Sequence, residues 1–215
     1  MRGRWNRGLP IGLARAHVPG SRGFTLIELC AVVLIITVFA AVALPVAVTQ
    51  LRDRRVQEAA RRFGMVYREA RMRALGRGSA VLVRIVDGTM TVLEAQVGVA
   101  VGGNAGCATL PVSSCLNTDW NAPTAQRLVD GFSVAASGEF SNLTVAMTDG
   151  QDNAVPNLDI CFTPMGRAFE RRSVVSADPF SPIANTYVAT LSRPGAARTR
   201  QVVLMPNGSA RLFTP

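Results

Sequence analysis

The feature that most constrains this chain is an apolar run of 21 residues, Phe24 to Leu44, that holds one charged side chain, Glu28. At a rise of about 1.5 Å per residue, a helix over this run is long enough to cross the hydrocarbon core of a bilayer. A carboxylate in such a span is costly unless another group neutralises it. The run therefore predicts a membrane-spanning helix in which Glu28 has a specific function. The alternative is a carboxylate near the helix end that reaches the lipid head groups.

The residues before this run are basic. Residues 1–23 contain five Arg and no acidic residue, and positive charge before a span favours retention of that end in the cytoplasm. A secretory signal peptide is cut after its apolar region, at a small-x-small site. Here the distinctive junction, SRG followed by FTLIE, comes before the apolar region. A secretory signal peptide therefore fits poorly, and an ordinary signal anchor is the simpler alternative.

The stretch GFTLIEL, Gly23 to Leu29, resembles the N-terminal processing signal of type IV prepilins and type II secretion pseudopilins. That signal is a basic leader ending in Gly, then an aromatic or Met residue, then an apolar helix with Glu at its fifth position. The matching residues here are Gly23, Phe24 and Glu28. The resemblance implies that the prepilin peptidase, a membrane aspartyl peptidase, cuts between Gly23 and Phe24. It would remove residues 1–23 as a leader and methylate the new Phe24 amine.

The same resemblance implies a location and an assembly role. The expected protein is single-pass in the bacterial inner membrane, with a cytoplasmic N-terminus before cleavage and a periplasmic C-terminal domain, and it later joins a periplasmic or surface filament. The new Phe24 amine would lie one helical turn from Glu28. In a filament, Glu28 would pair with the Phe24 amine of a neighbour and set the axial register, since an unpaired buried charge costs much more. Pro45 is the second expected assembly residue, because a proline removes one helical hydrogen bond and permits a kink.

Beyond the span the sequence pattern changes twice. Residues 24–48 are expected to form the transmembrane or filament-core helix, and residues 49–78 its amphipathic continuation, because apolar side chains there recur at steps of three and four. Residues 79–215 carry the alternation and turn residues of strands. The expected class is α+β, a pilin-like fold with a long N-terminal helix followed by an antiparallel β-rich globular domain.

Within the β-rich part, tight turns are expected at Asp87-Gly88, at Pro164 to Gly166 and at Pro206 to Gly208. The segments GFSVAAS (131–137) and NLTVAMT (142–148) are expected to form short strands. The stretch from about 98 to 126 is rich in Gly, Asn, Ser and Pro, and it is interpreted as a long loop.

Three further segments resemble the GspH/FimT group of minor pseudopilins, to which type II secretion system protein H belongs. They are REARMRALGRGSAVLVRI, ICFTPMGRA with its Gly166-Arg167 pair, and VVLMPNGSARLF. The resemblance implies a minor, non-catalytic structural subunit of a type II secretion pseudopilus that supports protein export. The alternatives are a minor pilin of a type IV pilus, or a DNA-binding minor pilin in natural transformation. Implied partners are other pilins or pseudopilins, the prepilin peptidase, the inner-membrane assembly platform and the membrane itself.

Composition argues against catalysis. The one histidine, His17, lies in the expected leader, so the mature chain would lack histidine general bases, histidine-activated nucleophiles and histidine-ligated zinc. No cofactor and no metal site are predicted. The acidic stretch DGQDNAVPNLD (149–159) lacks the spacing of a calcium loop and is interpreted as a solvated loop.

The four cysteines are Cys30, Cys107, Cys115 and Cys161. Their spacing fits no zinc motif. In an oxidising compartment, Cys107 and Cys115 would close the short loop CATLPVSSC, which is the simplest pairing. The pairings of Cys107 with Cys161 and of Cys115 with Cys161 stay open.

The C-terminal arginines are candidates for a nucleic-acid contact. Residues 179–215 hold four Arg and no acid: Arg193, Arg198, Arg200 and Arg211. Phosphate binding strengthens with such clustering. Some members of the resembled group bind DNA through a Gly-Arg-x-Arg motif, but the matching stretch here is Gly208-Ser209-Ala210-Arg211, which lacks the first Arg. Ordinary hairpin arginines are the simpler interpretation.

Overall fold

The computed structural model describes residues 23–98, 109–134, 138, 140–174 and 178–214. One long helix, α1 (Leu26–Arg77), precedes a series of strands. The strands in the described part of the chain are β1 (Val81–Val86), β2 (Thr89–Gly98), β3 (Thr109–Pro111), β4 (Gln126–Phe132), β5 (Thr144–Asp149), β6 (Asn157–Phe162), β7 (Ala168–Arg171), β8 (Ser181–Pro182), β9 (Tyr187–Ser192), β10 (Arg200–Leu204) and β11 (Ala210–Phe213).

The strands form two antiparallel sheets. The first has the order β3-β2-β1-β6-β7-β8, with β4 also paired to β2, and the second has the order β11-β10-β9-β5. The long N-terminal helix followed by antiparallel sheets confirms the expected α+β class. The chain divides into two compact units, one ending at Leu44 and one beginning at Pro45.

In the unit that begins at Pro45, one stripe of α1 is buried. Its members are Val56, Ala59, Ala60, Phe63, Gly64, Val66, Tyr67, Ala70 and Ala74. They recur at the three- and four-residue steps that keep side chains on one helical face. Most of the stripe is small, so the helix backbone comes close to the second sheet. A Cβ placed on Gly64 would lie 3.4 Å from a methyl carbon of Val202 and 3.5 Å from the Cβ of Ala210.

The main core lies between this helical stripe and one face of each sheet. The first sheet contributes alternate residues such as Val81, Val83 and Ile85 of β1, and the second contributes residues such as Tyr187, Ala189 and Leu191 of β9. The alternation follows from the two-residue period of a strand. Burial of this continuous apolar cluster is the dominant favourable term in folding.

A second, smaller core covers the opposite face of the first sheet. Leu82, Leu93 and Cys161 point outward from the sheet and are covered by Cys115 and Trp120, which lie between β3 and β4. The Trp120 indole N–H donates to the Cys115 carbonyl over 3.0 Å, which satisfies its buried polar atom. The stretch interpreted as a plain long loop therefore contains a strand, β3, and a covering layer. Residues 99–108 of that stretch lie outside the described residues.

The expected tight turns are confirmed. Asp87 and Gly88 have φ of 48° and 77°, and Gly166 and Gly208 have φ of 78° and 76°. The strand expected at 142–148 is β5, at Thr144–Asp149. The strand expected at 131–137 is wrong in position, because β4 ends at Phe132. Its pairing with β2 begins with Gln126 opposite Ala95 and ends with Phe132 opposite Met90. Residues 135–137 are outside the described part.

Candidate assembly helix and charged clusters

The N-terminus of α1 is capped by Thr25. Its Oγ1 accepts a hydrogen bond from the Glu28 backbone N–H over 3.3 Å, and its carbonyl accepts from the Leu29 N–H over 3.2 Å. Thr25 is thus the N-cap and Glu28 the third helical residue, which is the sequence spacing of a capping box. A carboxylate in the first turn also interacts favourably with the helix dipole. Sequence reasoning missed this local role, although the spacing T-x-x-E signals it.

The N-terminal half of α1 has no buried residue from its start to Leu51. The helix is long enough and apolar enough to cross a membrane, with a mean hydropathy of 2.9 over the apolar window. Glu28 and Phe24 are exposed, and Glu28 is the one charged side chain between Gly23 and Leu51. Many adjacent exposed apolar side chains need a lipid or protein environment to cover them.

Gly23 lies just before the helix, and no atom would lie within 4 Å of a Cβ placed on it. Packing in the described structure therefore gives no reason for glycine at this position. Cys30, seven residues further along, is a free and exposed cysteine.

Pro45 lies inside α1. Since proline has no backbone N–H, the carbonyl four residues before it loses its helical donor. The Thr49 hydroxyl donates to the Val46 carbonyl over 2.8 Å, in the turn that follows. The boundary between the two compact units falls at this same proline.

The disulfide is Cys115–Cys161, with Cα atoms 6.0 Å apart and a sequence separation of 46 residues. The expected pairing of Cys107 with Cys115 is therefore wrong, and one of the open alternatives is correct. The physical reason is that the segment after β3 crosses the outer face of the first sheet, which brings Cys115 onto β6. Cys107 itself lies outside the described residues.

The four C-terminal arginines do not share one exposed edge. Arg200 begins β10 and is buried, so it does not fit the possible DNA contact and agrees with the simpler interpretation. Arg193 and Arg198 lie in the loop between β9 and β10, where the backbone N–H groups of Ala197 and Arg198 donate to the Asp53 carboxylate. Arg211 lies on β11 opposite Val203 of β10. Val203 is about 10 Å along β10 from Arg200.

A buried carboxylate, which sequence reasoning missed, connects α1 to the first sheet through hydrogen bonds. Glu94 of β2 is 4% exposed. It accepts hydrogen bonds from the Nε atoms of Arg73 and Arg77 over 2.9 and 2.8 Å, and from Arg127 over 2.9 Å. Burial raises the pKa of Glu94, but the bonds from Arg127, Arg73, Arg77 and Ser79 outweigh it and lower the pKa to about 2. The single Glu in the apolar stretch TVLEAQV was the available signal.

A second buried carboxylate that is bonded to arginines lies in the first sheet. Asp159 of β6 is fully buried and accepts two hydrogen bonds from Arg84 over 2.9 and 3.0 Å, and one from Arg171. The Arg171 guanidinium also lies over the Phe180 ring, 4.4 Å from its centroid. A buried carboxylate paired with two arginines is tolerated in a core, whereas loss of one partner is strongly destabilising. Its position among β1, β6 and β7 makes it structural.

The acidic stretch 149–159, interpreted as a solvated loop, is a loop only between the end of β5 at Asp149 and the start of β6 at Asn157, and both Asp149 and Asp159 are buried. Oδ1 of Asp149 accepts from the backbone N–H groups of Gln151 and Asn153, both over 3.0 Å, and its Oδ2 pairs with Arg172 over 3.1 Å. Within the described residues, no group of three or more His, Cys, Asp or Glu side chains has the geometry to hold a metal ion.

The similarity of this chain to known proteins is weak. No family model matches the chain, and no curated protein sequence matches it. Two crystal structures of the Pseudomonas aeruginosa type IV minor pilin FimU are similar at 15% identity. One covers 74% of this chain and 92% of its own, with a TM-score of 0.36, and the other covers 74% and 96%, with a TM-score of 0.35. Similarity at these scores establishes neither a shared fold nor a shared function.

Proposed function

We propose that this chain is a minor structural subunit of a bacterial type II secretion pseudopilus, which is cut after Gly23, methylated on Phe24 and assembled through α1. The observation that carries the proposal is the exposed apolar half-helix whose single charge, Glu28, lies one turn after Phe24. A helix without a buried side chain requires an external apolar environment. A lipid bilayer before assembly and neighbouring helices afterwards both provide one.

Glu28 has two proposed roles, one in starting the helix and one in setting the register between subunits. The local role follows from its place as the third helical residue after the Thr25 N-cap, where a carboxylate suits the helix N-terminus. Capping contributes about 0.5–2 kcal/mol and needs no neighbour. A register role needs the negative charge, because its partner is the cationic amine created by cleavage. The two roles make different demands on the side chain, so substitutions distinguish them.

Three variants of the full chain test the register role. Glu28→Gln keeps a residue suited to a capping box but removes the charge, and Thr25→Ala removes the cap but keeps the charge. We expect Glu28→Gln to abolish incorporation into sheared filaments, measured by immunoblotting, while Thr25→Ala retains most of it. Glu28→Asp, which keeps the charge on a shorter side chain, should be intermediate. Normal incorporation of Glu28→Gln would remove the register role.

Processing is tested separately by mass spectrometry of the membrane-extracted chain. We expect a mature N-terminus at a monomethylated Phe24. Gly23→Val should accumulate the precursor with an unchanged globular unit, because no atom of the described residues would lie within 4 Å of a Cβ at this position. Gly23→Ala serves as the mild control. A mature N-terminus at any other residue would contradict the proposal.

The choice of a secretion pseudopilus over a type IV pilus rests on the C-terminal arginines. The DNA-binding motif of the resembled group lacks its first Arg here, and Arg200 is buried. A deletion strain complemented with the full chain decides between the two. We expect deletion to reduce export of folded proteins and to leave twitching and DNA uptake unchanged. The opposite pattern would assign the chain to a type IV pilus.

A further inference from the structure

A groove of about 210 Å³ lies between α1 and the edge strand β11 of the second sheet. Its floor is apolar and includes Gly64, Ala210 and Val202, where helix and sheet are in close contact. Met65 and Leu212 line its mouth and are 44% and 39% exposed. The groove belongs entirely to the unit that begins at Pro45.

Three arginines line the same groove: Arg61 and Arg68 on α1, and Arg211 on β11. No acidic residue lines it, and none of the three arginines forms an ion pair with any described residue. Neighbouring α1 arginines differ, since Arg62 pairs with Asp130 over 2.7 Å and Arg73 pairs with Glu94. The groove therefore carries a local positive charge without a counter-charge from the described chain.

The helix presents these groups at regular spacing. Arg61, Met65, Arg68 and Met72 follow one another at steps of four, three and four, so they share one face of α1. All four are exposed. The opposite, buried stripe already satisfies the packing of α1 on the sheets. The exposed face alternates charge with flexible apolar side chains that adapt to a partner.

Strand β11 offers unpaired backbone groups along the groove, because among the described strands it pairs with β10 alone. At the turn that joins the two strands, the Met205 N–H donates to the Ser209 carbonyl over 2.9 Å. Hydrogen-bonded and non-bonded pairs alternate along an antiparallel ladder. Arg211 and Phe213 therefore exchange bonds with β10, and the backbone N–H and C=O of Ala210 and Leu212 point to the free edge.

We propose that this groove binds an extended segment of a partner protein, in which acidic residues alternate with apolar ones, as an added strand beside β11. The unpaired edge supplies backbone hydrogen bonds, the apolar floor takes apolar side chains of the segment, and the arginines that line the groove favour its acidic residues. A symmetric pairing of two copies through the groove would oppose two sets of arginines. A nucleic acid would use the arginines but neither the apolar floor nor the backbone edge. The proposal does not depend on the filament role.

The test measures peptide binding to the full chain in detergent micelles by fluorescence anisotropy. The probes are fluorescein-labelled EVEVEV, the block peptide EEEVVV of the same composition, the basic KVKVKV, and a thymidine oligonucleotide. We expect EVEVEV to bind at least about tenfold more tightly than either other peptide, since alternation and charge both contribute. Equal binding of EVEVEV and EEEVVV, or preferred binding of the oligonucleotide, would overturn the proposal.

Charge reversal checks the location of binding. The triple variant Arg61→Glu/Arg68→Glu/Arg211→Glu should lose EVEVEV binding and gain affinity for KVKVKV. The matched control, Arg54→Glu/Arg55→Glu/Arg198→Glu, has the same net charge but changes exposed arginines that do not line the groove. An equal loss in both triple variants would mean that only net charge attracts the peptide, and it would overturn the proposal.

A backbone variant tests the added strand. Leu212→Pro removes an N–H that points to the free edge, a position at which edge strands tolerate proline. Leu212→Ala keeps the N–H and removes most of the side chain. We expect Leu212→Pro to lose at least about tenfold in EVEVEV affinity with an unchanged far-ultraviolet circular dichroism spectrum, and Leu212→Ala to lose much less. Equal affinities of the two variants would exclude strand addition.

Discussion

The disulfide Cys115–Cys161 should carry a large part of the stability of the globular unit. It joins the covering segment after β3 to the central strand β6 across 46 residues of sequence. The chain-entropy relation gives about 4 kcal/mol at 25 °C for a loop of this size, and measured effects commonly fall between about 2 and 4 kcal/mol. We therefore expect Cys115→Ala/Cys161→Ala to lower the free energy of unfolding by about 2–4 kcal/mol.

Urea unfolding of the full chain in detergent measures this loss. Trp120 is the reporter, since its ring is buried in the same small core and its N–H donates to the Cys115 carbonyl. A Trp5→Phe background leaves Trp120 as the one tryptophan, because the chain has 2. The matched control is Cys107→Ala, which should leave the free energy of unfolding unchanged. A reductant should lower the stability of the parent and of the control, but not that of the double variant.

Peptide mapping checks the pairing itself. Trypsin cuts after Arg127, which separates Cys115 from Cys161, whereas no Arg or Lys separates Cys107 from Cys115. Under non-reducing conditions, we expect peptide 85–127 to be linked to peptide 128–167, and Cys107→Ala to retain that link. The reasoning is refuted if peptide 85–127 carries an internal disulfide, or if Cys107→Ala destabilises the chain as much as the double variant does.

Two other predictions concern the α1 junctions. Gly208→Ala should destabilise the globular unit by about 1–3 kcal/mol, because its φ of 76° is strained for other residues and its new methyl would meet the Arg71 side chain. In the same thermal or urea unfolding experiment, Gly76→Ala should be neutral or mildly stabilising, since it is helical with free space around it; an equal loss in both would contradict the argument. The lowered pKa of Glu94 means that its stabilisation is fully present above about pH 5 and is lost as pH falls towards 2. Glu94→Gln should therefore cost about 2 kcal/mol at neutral pH, allowing for screening of its half-exposed arginine partners, and the difference from the parent should shrink towards pH 2; a difference that does not vary with pH would contradict this.

Features that depend on near neighbours in sequence were predictable. The long helix, the change to strands after residue 78 and the three tight turns follow from local periodicity and from residues such as Gly88, Gly166 and Gly208 that allow a positive φ. The Thr25 N-cap is equally local, because the T-x-x-E spacing that signals it spans four residues. The assembly proposal rests on this same local segment, Gly23 to Leu44.

Features that join distant segments were not predictable. Cys115 is nearer to Cys107 in sequence but meets Cys161 in space, because the segment that holds it crosses the outer face of the first sheet. Arg200 looks like its neighbours in sequence but is buried at the start of β10. Glu94 finds its arginines on α1 and on β4. Local pattern thus determined an apolar helix with one charge and a β-rich domain, because periodicity and turn chemistry act over a few residues. Tertiary structure alone decided which cysteines, charges and edges meet, because strand order and burial depend on contacts across the whole chain.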